Sequence, residues 1–261
     1  MNDVLAGKRL LITGVLTGSS IAYAAAREAR AQGATVVLSG FGRSKSITER
    51  IARRLAADDG GAPVPVVELD LTSDADYDAL PERLREHVDS VDGALHAAGF
   101  APEAILNDAI SGASWQDAAL ALQVSTWSLP ALCRALRPVL ARPASIVGLT
   151  FDATVSWPNY GWMGIAKAGL EASCRGLARE LGPDGVRVNL VAAGPLKTTA
   201  ASHIPGFSAF DEVWSQRAPL GWQIGDTTAA GLACVALFSD LFPATTGEIV
   251  HVDGGVHATG A

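Results

Sequence analysis

Short apolar runs alternate along the chain with longer segments whose apolar positions recur at helical spacing. Each short run predicts a buried strand, and each segment with a period near 3.6 residues predicts a helix. The predicted strands lie at residues 9–13, 35–39, 64–69, 93–97, 145–149, 186–192 and 248–252. The predicted helices lie at residues 21–32, 46–57, 74–88, 114–141, about 160–181, and 227–237, with a kink or break expected at Pro130 in the fourth.

Strands that alternate with helices at this spacing predict a doubly wound α/β domain of the Rossmann type, with a seven-stranded parallel sheet and helices on both faces. No linker-like stretch divides residues 1–261, so we expect a single domain. Ligands of such sheets bind outside the carboxyl ends of the strands. Gly14, Asp70, Gly99, Phe151 and Pro195 all follow predicted strands, which places them at one edge.

The composition narrows the class of protein. Of the 261 residues, 49% are hydrophobic and 18% charged, and the net charge is -7, which provides a large core and argues against nucleic-acid binding. The three cysteines are widely spaced and form no metal-binding or disulfide pattern, so no metal site is expected. No apolar run is long enough to span a membrane. We expect a cytoplasmic enzyme with no membrane partner.

The first strand runs into a glycine-rich turn. Gly14 and Gly18 allow close backbone approach, Ser20 offers a hydroxyl, and the helix that begins at Ile21 supplies unpaired N–H groups, all of which suit a phosphate. The spacing departs from G-x-G-x-x-G, so an ordinary strand-to-helix turn is the alternative.

The second turn is where a dinucleotide fold reads the adenosine ribose, and it has no acidic residue. Phe41 could stack on the adenosine, whereas Arg43 could bind a 2′-phosphate or lie in solvent, which leaves NAD or NADP open. Asp70, after the third strand, could bind the adenine amino group or cap local N–H groups, and capping is the commoner use.

Tyr160 and Lys167 lie seven residues apart, about two helical turns, and so point to one face of a helix. A phenol with a cation nearby can stabilise a developing oxyanion. The pair predicts a reduction or isomerisation site, and the alternative is a surface lysine near a half-buried tyrosine. Residues 199–216 are irregular and carry Phe207 and Phe210, which suggests a mobile lid over the site or a plain surface loop.

Several motifs together resemble the enoyl-[acyl-carrier-protein] reductases, the divergent branch of the short-chain dehydrogenase/reductase superfamily. The most specific is Tyr160-x6-Lys167, since ordinary members of the superfamily have Tyr-x3-Lys and an upstream serine, where this chain has Gly148-Leu149. The resemblance is strongest to the mycobacterial-type NADH-dependent enzymes. The motifs that carry it are His96-x-x-Gly99-Phe100, Val147-Gly-x-x-Phe151, Asn189-Leu-Val-Ala-Ala-Gly-Pro195 and Gln216-Arg-Ala-Pro-x-Gly-Trp222.

The resemblance implies a role for each matching residue. Lys167 would hold the nicotinamide ribose, Tyr160 would donate to the thioester carbonyl, and Phe151 would border both ligands. The expected cofactor-binding residues are Gly14, Ser20, Ile21, Phe41, Asp70, Leu71, Gly99, Lys167, Pro195 and Thr198, and the expected substrate wall is Tyr160, Met163, Phe207 and Phe210. The implied partner is an acyl carrier protein or CoA thioester, the implied cofactor is NADH with NADP not excluded, and the implied assembly is a homotetramer.

Two alternatives stay open: another short-chain reductase acting on a carbonyl, and a non-catalytic regulator that binds a dinucleotide. The chain also departs from its close relatives, since Thr150 stands where they often have an acidic residue, and its lid is shorter than the mycobacterial one.

Overall fold

The computed structural model of the chain describes residues 3–107 and 109–259, without the side chains of Asp59 and His203. The single domain predicted over 1–261 therefore includes Met1, Asn2, Asp108, Gly260 and Ala261, which lie outside the described residues.

The described residues form one sheet of parallel strands in the order β3-β2-β1-β4-β5-β6-β7. The strands are β1 (Arg9–Ile12), β2 (Thr35–Gly40), β3 (Val66–Glu68), β4 (Val91–His96), β5 (Leu140–Thr150), β6 (Val186–Ala193) and β7 (Ile249–Val252). The predicted seven-stranded, doubly wound fold is confirmed. The strand order reverses between β1 and β4, and the crevice at that point is where such sheets bind ligands.

Helices cover both faces of the sheet. They are α1 (Ile21–Ala31), α2 (Gly42–Asp59), α3 (Asp74–Arg85), α4 (Trp115–Leu122), α5 (Ser128–Leu136), α6 (Gly161–Leu181), α7 (Ser208–Arg217) and α8 (Thr228–Phe238). A π-helical segment, Gln123–Trp127, joins α4 to α5. Serine caps begin α1, α3 and α4, since Ser20, Ser73 and Ser114 each accept a backbone N–H of the first turn.

Successive residues of the strands enter opposite layers of the core. Leu10 and Ile12 pack with residues of α1, α2 and α8, whereas Leu11 between them packs with residues of α3, α5 and α6. Because both faces of a parallel sheet are buried, the strands read as continuous apolar runs in the sequence. This is the physical reason why they could be located from the sequence alone.

The predicted helix over 114–141 has its expected break near Pro130, in the form of the π-helical segment directly upstream, but its predicted end is wrong. It ends at Leu136, so that β5 begins at Leu140 rather than at residue 145. Proline removes one helical hydrogen bond and crowds the carbonyl four residues earlier, which explains the distortion upstream of it. Pro143 lies inside β5 beside a register shift against β4, and a proline within a strand conceals that strand in the sequence.

The segment 199–216 was expected to be irregular, and this prediction is wrong. The structure has a short 3-10 turn (Ala201–His203) and then the helix α7, which buries Phe210 and Trp214 at i,i+4 spacing on one face. Helix α2 also begins four residues earlier than predicted, at Gly42. Within the described part of the chain, no helix is long and apolar enough to cross a membrane.

Candidate active site

The turn after β1 packs closely against the end of β4 and leads into the N-terminus of α1. Gly14 has φ +79° and lies so near the carbonyl of Ala97 that a side chain would overlap it. Ser20 caps α1 by accepting Tyr23 N–H at 3.1 Å and donating to Thr17 O at 2.9 Å. Helix geometry leaves the N–H groups of the first turn, those of Ile21 and Ala22, without an intrahelical acceptor. The turn therefore fits a pyrophosphate, which favours such N–H groups and the positive end of the helix dipole.

The loop after β4 forms the next wall. Ser125, buried in the π-helical segment, accepts Phe100 N–H at 2.9 Å and lies at the same distance from Phe100 O. Thr13 fixes the other end of the loop, since its hydroxyl accepts Ala97 N–H at 3.0 Å. A side chain on Gly99 would meet Lys167 Nζ at 3.5 Å, so this glycine keeps the space beside the ammonium open.

Lys167 is buried where the carboxyl ends of β4 and β5 meet. Its ammonium donates to Leu149 O at 2.9 Å and to Ala98 O at 3.3 Å. Burial lowers the pKa of Lys167 to about 8, against a smaller opposing effect from Glu171 one helical turn away. Two of the three ammonium hydrogens are used by the protein, which leaves one for a ligand.

Tyr160 is buried immediately before α6. The flanking backbone is unusual, because Asn159 has φ 57° and Gly161 has φ 41°, and a side chain on Gly161 would overlap the carbonyls of Ile105 and Asn107. Non-glycine residues with positive φ are strained and often lie at functional sites. Burial raises the pKa of Tyr160 strongly, so the phenol stays protonated and can act as a donor.

An aromatic cluster covers Tyr160 on the side of the lid. The ring of Phe151 lies 5.3 Å from that of Tyr160, 5.1 Å from Trp157, 5.7 Å from Phe210 and 5.9 Å from Trp214. The cavity beside Phe151 is only about 10 Å³, roughly the space of one water molecule. The rings therefore fill the region between the strands and the lid helix α7 and exclude water from it.

Comparison with known proteins identifies the family to which this geometry belongs. Residues 14–257 match the family model described as enoyl-(acyl carrier protein) reductase. The chain belongs to this family.

Several relatives of this enoyl reductase family member are named as NADH-dependent enzymes. One, enoyl-[acyl-carrier-protein] reductase [NADH] of Mycolicibacterium smegmatis, is 39% identical, and another from Mycobacterium avium is 37% identical, each match covering 98% of both chains. A third, from Neisseria meningitidis serogroup B, is 38% identical over 96% of this chain and 95% of its own. The resemblance proposed from the sequence is confirmed.

The structure brings most of the predicted site residues to one edge. Gly14, Ser20, Ile21, Gly99, Lys167 and Pro195 lie at or next to the carboxyl ends of β1, β4, β5 and β6, and Phe151, Tyr160, Met163, Phe207 and Phe210 belong to the apolar clusters beside them. Pro195 accepts the indole N–H of Trp222 at 2.7 Å, and the Thr198 hydroxyl accepts Ala201 N–H at 3.2 Å. These two contacts fix the start of the lid.

Three predicted cofactor residues lie farther from Lys167, at the ends of β2 and β3. Phe41 is 47% exposed and precedes α2, which leaves its ring free to stack. One carboxylate oxygen of Asp70 accepts both the N–H and the hydroxyl of Thr72, at 2.9 and 2.7 Å. The capping interpretation accounts for that oxygen. Leu71 packs partly against the core.

Sequence reasoning missed Glu171, a buried carboxylate. It accepts the Thr150 hydroxyl at 3.0 Å and Ala153 N–H at 3.2 Å, and so fixes the segment that carries Phe151. Its position four residues after Lys167, on the same face of α6, was the available signal. Sequence reasoning also missed Trp157. Its indole donates to Asp152 O at 2.6 Å, and its ring packs against that of Phe151.

The buried charge of Lys167 yields a prediction for stability. The folded pKa of about 8 lies below the ordinary 10.5, so the charge opposes folding below pH 8, progressively less up to pH 10.5, and not above it. We expect Lys167→Met to raise the Tm at pH 7 by about 2 to 6 °C, which corresponds to a gain of order 1 to 2 kcal/mol in a domain of this size. Thermal unfolding at pH 7, 9 and 10.5 measures it.

The matched control is Lys197→Met, because Lys197 is exposed on the loop after β6 and its charge is solvated. We expect no gain from it at any pH. A Lys167→Met gain that persisted unchanged at pH 10.5 would show that packing rather than charge burial is responsible.

Proposed function

We propose that this protein reduces the double bond of trans-2-enoyl thioesters, carried on acyl carrier protein or coenzyme A, with NADH as the reductant. The observation that carries the proposal is a buried ammonium, Lys167, that donates to Leu149 O and Ala98 O at the carboxyl edge of the sheet, with a buried phenol, Tyr160, seven residues before it. The relatives named as NADH-dependent enoyl-[acyl-carrier-protein] reductases support it.

The cofactor would lie along the crevice from α2 to Lys167. The N-terminus of α1 would bind the pyrophosphate, and the remaining ammonium hydrogen of Lys167 would bind the nicotinamide ribose hydroxyls. The dihydronicotinamide supplies a hydride to the β-carbon of the enoyl group. Gly99 supports this placement, because a side chain there would lie 3.5 Å from Lys167 Nζ, in the space beside the ammonium.

Tyr160 would donate its hydroxyl proton in a hydrogen bond to the thioester oxygen as enolate charge develops there. Among the described residues, no protein atom accepts a hydrogen bond from Tyr160 Oη, so the donor is available to a ligand. A donor of this kind is worth roughly 3 to 4 kcal/mol in other oxyanion sites. The surrounding rings would strengthen it by excluding water.

The exposed apolar side chains and the cysteines bear on the oligomeric state and the cellular compartment of the protein. We infer a homotetramer, since Trp115 is 70% and Trp127 41% exposed on the outer surface of α4 and the π-helical segment, and Ile165 is 38% exposed on α6. We also infer a cytoplasmic enzyme, which agrees with three buried free cysteines, Cys133, Cys174 and Cys234.

A spectrophotometric assay with NADH or NADPH and either a trans-2-enoyl or a 3-ketoacyl thioester tests the reaction. We expect oxidation of NADH with the enoyl thioester and little with the ketoacyl thioester, because the position near the end of β5 that would carry a serine in a carbonyl reductase is Gly148-Leu149. Turnover with the ketoacyl substrate alone would establish the other reductase. Cofactor binding without turnover on either substrate would establish the regulator.

Replacing Tyr160 by phenylalanine separates substrate activation from cofactor binding. Only the hydroxyl is lost, so we expect kcat to fall about 100- to 1,000-fold while the Kd for NADH changes less than about threefold. Lys167→Ala should instead abolish NADH binding. The matched control is Tyr23→Phe, which removes a hydroxyl bonded to Asp58 on α2 and should change neither quantity. Equal loss of NADH binding in Tyr160→Phe and Lys167→Ala would refute these separate roles.

The short, closely packed lid predicts a limit on acyl chain length. Each methylene left in water forfeits about 0.8 kcal/mol, or roughly fourfold in affinity. We expect kcat/KM to rise from C4 to medium chains and then to level off or fall, since Phe210 fills the space beside Phe151. Phe210→Leu should move the plateau to longer chains, whereas Phe242→Leu, on the surface between α8 and β7, should not. A steady rise to C16 in the parent enzyme would show that the lid imposes no limit.

A further inference from the structure

The turn after β2 has no acidic residue of its own, but the fold brings one to it from the neighbouring strand. Glu68 ends β3 and is paired across the sheet with Gly40, the last residue of β2. Leu69 N–H donates to Gly40 O at 2.9 Å and continues this pairing beyond the strand. The carboxylate of Glu68 consequently lies beside the first turn of α2, where a dinucleotide fold reads the adenosine ribose.

Both oxygens of Glu68 are used by donors of that turn. Oε1 accepts Gly42 N–H at 2.9 Å, and Oε2 forms an ion pair with Lys45 Nζ at 3.0 Å. The hydrogen bond from Gly42, followed by that from Lys45, lowers the pKa of Glu68. The group is therefore a carboxylate at neutral pH, and its side chain is 33% exposed and so accessible to a ligand.

The donors that Glu68 engages are those that a phosphate would use. A phosphate monoester favours backbone N–H groups at a helix N-terminus together with basic side chains. Gly42 N–H and Lys45 provide both, and Arg43 is an exposed cation between them. The first turn of α2 thus carries two basic side chains, Arg43 and Lys45, and Glu68 neutralises the charge of Lys45.

Resting on the NADH-dependent reduction proposed above, we propose that Glu68 sets the preference for NADH over NADPH. It does so by engaging Gly42 N–H and Lys45 Nζ and by repelling a 2′-phosphate with its own charge. A ribose with a free 2′-hydroxyl brings no charge and meets no such repulsion. Arg43 alone, without Lys45, is a weak site for the phosphate because an exposed ion pair stabilises little.

The test measures Kd for NADH and NADPH, by calorimetry without substrate, in the parent protein and three variants. In Glu68→Gln the amide oxygen can still accept Gly42 N–H, so the turn is preserved while the charge is lost. We expect its NADPH affinity to rise about tenfold or more, with less than about a threefold change for NADH. Lys45→Met alone should leave both affinities nearly unchanged, and the double variant should lose most of the gain.

The matched control is Glu82→Gln, which removes the same charge from a side chain that is 76% exposed on α3. It should not alter the ratio of the two affinities. An unchanged ratio in Glu68→Gln would overturn the inference and leave the proposed function standing. So would a loss of NADH affinity without a gain for NADPH, or a large fall in NADPH affinity in Lys45→Met alone. Failure of the parent protein to bind either cofactor would overturn the proposed function itself.

Discussion

The burial of one ammonium group, that of Lys167, determines the arrangement around it. A charge taken out of water needs donors or acceptors placed in advance. Here the acceptors are the carbonyls of Ala98, two residues beyond β4, and of Leu149, the next-to-last residue of β5. Glu171 adds a compensating negative charge one helical turn away. The site therefore depends directly on the parallel sheet, since the carboxyl ends of two neighbouring strands bring both carbonyls to the ammonium.

The irregular segments of the fold serve the same arrangement. The π-helical segment places the Thr126 hydroxyl 2.6 Å from Ala166 O, next to Lys167 in α6, and it places Ser125 against the loop that contains Gly99. Local π-helical geometry is frequent at functional sites. In this protein the segment contacts both the loop after β4, in which Ala98 accepts from the ammonium, and α6, which carries Lys167.

The sequence could predict what is local and periodic. The strands, most helices and the order of the strand ends follow from apolar runs and spacing, and these place Gly14, Gly99 and Lys167 correctly. Helix α7 was missed because Pro205 and Gly206 directly precede it and favour a loop, although Phe207, Phe210 and Trp214 recur at helical spacing. The polar contacts of Glu68 and Glu171 could not be predicted, because their partners Gly42 and Thr150 are 26 and 21 residues distant and meet them only across the folded sheet.

Glu68 and Glu171 have opposite effects on the lysines near them, Lys45 and Lys167. Glu68 contacts Lys45 directly and removes it from use by a ligand. Glu171 uses one oxygen on Thr150 and Ala153, and Lys167 makes no direct ion pair with any described residue. The negative charge of Glu171 therefore favours the charged form of Lys167 without using any of the ammonium hydrogens. Glu68 thus neutralises a cation beside the first turn of α2, whereas Glu171 leaves one hydrogen of the Lys167 ammonium for a ligand. The distance between the charged groups makes this difference.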